Sequence, residues 1–93
     1  MKVITNKAVI ENKEFVLIED TQNGKHFFGT IPFEDIDENG SMKRALNGFQ
    51  MCIGDTIGDA IQTRARSIKM AAWREAHPEA TEIEIVMAAM SIN

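Results

Sequence analysis

The chain has 93 residues, 44% of them apolar and 26% charged, with 14 acidic side chains against 10 basic for a formal net charge of −4. That balance fits one small globular domain, and with 2 prolines and 6 glycines it excludes a disordered tail or a collagen-like chain. A lone cysteine, Cys52, excludes an internal disulfide and a cysteine-built zinc site.

In chain order, the first third is predicted to be β-structure. Val3-Ile4 and Ala8-Val9-Ile10 precede a turn at Glu11-Asn12-Lys13, and Glu14 to Glu19 is rich in the β-branched and aromatic residues that fit a pleated surface. Asn23-Gly24 is the strongest local signal, because both residues accept the positive φ of a two-residue hairpin turn. His26 to Phe33 is the returning strand, with Phe27, Gly29, Ile31 and Phe33 on one face and His26, Phe28 and Thr30 on the other. Pro32 cannot donate a ladder hydrogen bond, so the strand ends or lies at an edge there. Phe33 to Ser41 is an acidic loop. Met42 to Ile53 admits two readings, with Asn47-Gly48 breaking a helix and Phe49 to Ile53 able to form a fourth strand.

Gly54-Asp55-Thr56 marks a helix entry, with Asp55 or Thr56 as N-cap, and the helix is expected to reach about Ala76 because His77 precedes Pro78. At 100° per residue, Ile57, Ile61, Ala65, Ile68, Ala71 and Ala72 form an apolar stripe opposite Gln62, Arg66, Lys69, Met70 and Trp73. Thr81-Glu82-Ile83-Glu84 is a capping box opening a second helix, although Glu82 to Ile85 also alternates like a strand. That last helix is apolar nearly all round, which requires burial in the domain or in an interface. The expected fold is α+β, a single domain over 1–93. Its β-rich part (1–53) is an antiparallel meander of three to four strands, and its helical part (55–93) is two helices packed on one face.

The charge is divided unevenly. Residues 1–41 hold 4 basic and 8 acidic groups, residues 42–77 hold 6 basic and 3 acidic, and 78–93 hold Glu79, Glu82 and Glu84 with no cation. Such polarity points to surfaces that meet, within one fold or between subunits. On the basic helix, Arg66, Lys69, Met70 and Trp73 make a patch of cations beside an indole, a combination suited to interfaces or to stacking on a base. Arg64 falls within the apolar stripe, with Arg74 flanking it on the side away from Trp73. A buried arginine there calls for a carboxylate, such as one from the hairpin, or for an anionic ligand. The acidic side is Glu34, Asp35, Asp37 and Glu38. Asp35-Ile36-Asp37-Glu38-Asn39-Gly40 matches the first half of a calcium loop, but Leu46 stands where a bidentate glutamate belongs, so a solvated turn is expected and no metal.

No pattern marks an enzyme. His26 and His77 are far apart in sequence, Cys52 lies in an apolar segment, and no nucleophile elbow or phosphate loop occurs. No cofactor is expected. No apolar run approaches the roughly 20 residues of a membrane span, and the first residues turn polar too soon for a signal peptide, so a cytoplasmic location is expected. Direct nucleic-acid binding is disfavoured by the acidic total. The leading expectation is a small non-enzymatic binding protein, homo-oligomeric, that acts through another macromolecule, most simply a protein. Two alternatives follow the style of accessory proteins of phage and mobile elements. One is sequestration of an anionic small molecule, such as a nucleotide, through Arg64, Arg66, Lys69 and Arg74. The other is an acidic inhibitor that mimics nucleic acid through Glu34, Asp35, Asp37 and Glu38.

Overall fold

A computed structural model describes residues 1–92. Three antiparallel strands, β1 (Lys2–Ile10), β2 (Lys13–Gln22) and β3 (Lys25–Pro32), pair in the order β1-β2-β3, and two helices follow, α1 (Ile57–Ala76) and α2 (Glu82–Ser91). The fold is α+β. The β2–β3 turn is the expected two-residue one: Gln22 faces Lys25, and Asn23 and Gly24 have φ of 52° and 77°. The β1–β2 turn has the same form without a glycine, since Ile10 faces Lys13 and Glu11 and Asn12 take φ of 49° and 64°. β1 is irregular. Its register runs Val3 to Ile18, Thr5 to Leu17 and Ala8 to Phe15, so β1 twice carries one residue more than β2 opposite it.

Both faces of the β2–β3 pair are covered. Val16, Ile18, Phe27 and Ile31 alternate onto one face, where they join Met51 in the core, with Ile36, Met42 and Leu46 packed against them. The opposite face carries buried Phe15, Leu17 and Thr30, and α1 lies on it with Ala60 and Arg64 buried. The cover on the first face comes from the segment between Ile36 and Ile53, which has no regular strand. The fourth strand that Phe49 to Ile53 could have formed is replaced by a turn and a single bridge. The reason is local: Asn47 and Gln50 exchange two hydrogen bonds (Gln50 N to Asn47 Oδ1, 2.8 Å; Asn47 N to Gln50 Oε1, 3.0 Å), and Cys52 adopts φ of 52°. The chain then runs beside β3, whose Thr30 N donates to Met51 O (2.8 Å), while Phe28 and Gly54 exchange N–H···O bonds of 2.9 and 2.8 Å.

Gly54 is held at that crossing by space. A Cβ there would lie 2.7 Å from Ala60 N and from Asp59 Cβ, inside the first turn of α1. Thr56 caps that turn, its Oγ1 accepting from Asp59 N at 3.0 Å. α1 ends at Ala76, where Pro78 forbids continuation. α2 opens with a complete capping box, Thr81 Oγ1 accepting from Glu84 N (3.3 Å) and Glu84 Oε1 accepting from Thr81 N (3.0 Å). The strand alternative for this segment falls to those caps. No described helix is long and apolar enough to cross a membrane.

Candidate functional site

α1 sorts its side chains by height along the sheet. Its first half sits over β3, so Ala60 and Arg64 are buried and Ile61, Ala65 and Ile68 half-buried, whereas Ile57, Ala71 and Ala72, also counted in the apolar stripe, are exposed. Met70 and Trp73, expected on the outward side, are half-buried instead. Met70 lines a groove of about 230 Å³ with Arg66, Thr63 and Ser67 of α1 and Ala89 and Ile92 at the far end of α2. Trp73 stacks on His77 at 4.3 Å, and His77 Nδ1–H donates to Trp73 O at 2.8 Å.

Arg64 is 9% exposed and pairs with no carboxylate of the described residues, contrary to the expected acidic partner from the hairpin. Neutral oxygens serve it instead. Nε donates to Thr30 Oγ1 (2.7 Å), and Nη2 donates to Thr30 O and to Gln50 O (2.8 Å each), while the guanidinium carbon lies 4.7 Å above the Phe15 ring. Burial lowers the pKa of its guanidinium below the usual arginine value, yet arginine keeps its proton in proteins. Thr30, Gln50 and Phe15 were therefore the missing partners. The one hint in the sequence is Thr30, a polar residue between Gly29 and Ile31 on a strand buried on both sides.

The six residues singled out on α1 do not converge. Arg64 faces β3, Arg66 and Met70 face α2, and Lys69 reaches the β1–β2 turn to pair with Glu11 at 3.5 Å. Arg74 is exposed. The acidic set divides likewise. Asp35 pairs with Arg44 at 3.1 Å, and Asp37 Oδ1 accepts from Asn39 N and Ser41 N at 2.9 Å each, which fastens the turn that resembles a calcium loop. Glu34 and Glu38 remain exposed.

The most distinctive surface lies on α2. No residue of this helix is buried. Its half-buried positions are Ile85 and Ala88, with Ile92 just beyond its end, one face turned toward α1. Ile83, Val86, Met87 and Met90 are 72%, 56%, 63% and 79% exposed, and at spacings of three, four and seven they form one stripe, roughly half a turn away from the first. The requirement that this helix be buried is thus met within the chain on one face only. Comparisons with protein-family models, curated proteins and solved structures find no match for the chain.

Proposed function

We propose that the protein is a small non-catalytic binding module that self-associates through α2, and that the resulting homo-oligomer presents the surface a macromolecular partner meets. The observation that carries this is the solvent-facing stripe Ile83, Val86, Met87 and Met90. Ten residues with apolar groups on two opposite faces need two neighbours, and α1 supplies one. A second copy suits the other. The stripe is centred on Val86-Met87, so two α2 helices related by a two-fold axis and running antiparallel match ridge to groove.

Light scattering coupled to size exclusion, over a concentration series, tests the proposal. The wild type is expected to weigh as a dimer or higher oligomer, and Met87→Glu as a monomer with an unchanged circular dichroism spectrum. A wild type that stays monomeric throughout would refute it.

A further inference from the structure

A cavity of about 540 Å³ opens where β2, β3 and α1 meet. Arg64 lies in its lining. Phe15, Pro32, Phe33 and Ile68 give it apolar walls, and Lys13, Glu14 and Glu34 complete its lining.

The donors of Arg64 are unequally used. A guanidinium has five N–H groups. The chain takes the one on Nε and the two on Nη2, leaving Nη1 with no acceptor among the described residues. No buried side-chain nitrogen or oxygen of the described residues lacks a partner, so Nη1 must reach open space. A cation that is nine-tenths buried, without a counter-charge, thus lines the cavity with two N–H groups uncommitted; it also lines a second cavity, of about 280 Å³, with Arg44 and Gln50. Lys13 has no carboxylate partner among the described residues either, whereas Glu14 is partly neutralised by Lys7 at 3.7 Å.

We infer that this cavity is a binding site for a small monoanion, an apolar or aromatic body carrying one carboxylate. One carboxylate oxygen accepts from Nη1 and the group's charge is shared with Lys13, while Phe15, Phe33 and Ile68 hold the body. Nε and Nη2 are already committed to Thr30 and Gln50, so the two-pronged arginine fork is not available and contact is end-on. Glu34, also in the lining and without a cation partner among the described residues, disfavours a doubly charged ligand and sets the preference for a single charge. The site is independent of the α2 interface and stands if the protein is a monomer.

The test is titration of the intact chain with 3-phenylpropionate, followed by NMR at the Arg64 Nε–H and at the amides of Phe15, Phe33 and Ile68. Saturable shifts confined to this region are expected, with 3-phenylpropan-1-ol binding about 10-fold more weakly for want of the charged hydrogen bond. Arg64 also holds the fold together, so the variants are placed on the rim. Lys13→Gln and Phe33→Ala should weaken binding and Glu34→Gln should tighten it, each by roughly 2- to 5-fold, with the circular dichroism spectrum unchanged. Equal binding of acid and alcohol, indifference to both Lys13→Gln and Glu34→Gln, or no saturable shift would each overturn the inference.

Discussion

Replacing Arg64 tests how α1 is fastened to the sheet. Its three hydrogen bonds join α1 to β3 and to the Asn47–Cys52 turn at once, since Thr30 lies 34 positions before it and Gln50 lies 14 before it. A hydrogen bond from a charged donor contributes about 1.5–3 kcal/mol, and a cation over an aromatic ring adds about 1–2 kcal/mol when desolvated. These do not sum, because losing the cation also removes the cost of burying it. Arg64→Ala leaves a void and leaves Thr30 O and Gln50 O without their donor, so a net cost of about 3–5 kcal/mol is expected. That is a large share of the roughly 5–15 kcal/mol holding a small domain, and should lower the melting temperature by about 15 °C or more. Arg64→Met keeps most of the volume, and the Thr30 hydroxyl keeps its bond to Met51 O at 3.2 Å, so about half that loss is expected. Urea unfolding followed by circular dichroism measures both. A cycle with Thr30→Val should show a coupling of about 1–2 kcal/mol between the two side chains. If Arg64→Ala costs less than about 1 kcal/mol, or the coupling is near zero, the guanidinium is not what ties these segments together.

Two further outcomes follow from the geometry. Gly54→Ala places a methyl 2.7 Å from Ala60 N, so the first turn of α1 must shift away from β3; about 1–3 kcal/mol of stability should be lost, read from the same urea curves. Glu84 is held below the ordinary carboxylate range, chiefly by its bond from the Thr81 backbone N–H and then by the Thr81 hydroxyl. A depressed folded value means that the ionised box supports α2 above the unfolded glutamate's pKa, and that this support fades as pH falls through the folded value. Helicity of wild type and Glu84→Gln should therefore differ at neutral pH and converge in acid, and parallel curves at all pH would rule out the ionised cap.

Much of the regular structure was legible because local chemistry decides it. Asn23-Gly24, the Thr56 and Thr81 caps and the His77-Pro78 stop each act through neighbours within four residues, and each turn, start or stop lies where it was expected. The second hairpin turn shows where that legibility thins, since Glu11-Asn12 takes positive φ at two non-glycine residues and lacks the usual sequence mark. What the chain does at long range was hidden. Arg64 was visible as an oddity on an apolar stripe, but its acceptors are mostly backbone carbonyls, which every residue has and no pattern reveals. The cations of α1 looked like one patch because helical spacing ignores which elements flank the helix; the sheet and α2 send Arg64, Lys69 and Arg66 in three directions. The aperiodic cover from Ile36 to Ile53 has no period to detect, and the exposure of α2 depends on where the sheet stops.

The two extra residues in β1 bear on how copies of this protein can add together. An open strand edge is a template for growth, because each arriving strand leaves a new edge for the next and the product is a fibre without a fixed size. Here one border of the sheet is occupied by Met51 and Gly54 bonded to β3, and the other is bent out of regular hydrogen-bonding register at two places. Both borders are thus poor templates for a further strand. The helix stripe has the opposite property: the proposed two-fold pairing would consume it, leaving a completed pair with nothing to offer a third molecule. On the proposed two-fold pairing, the apolar stripe is used up in an assembly that terminates.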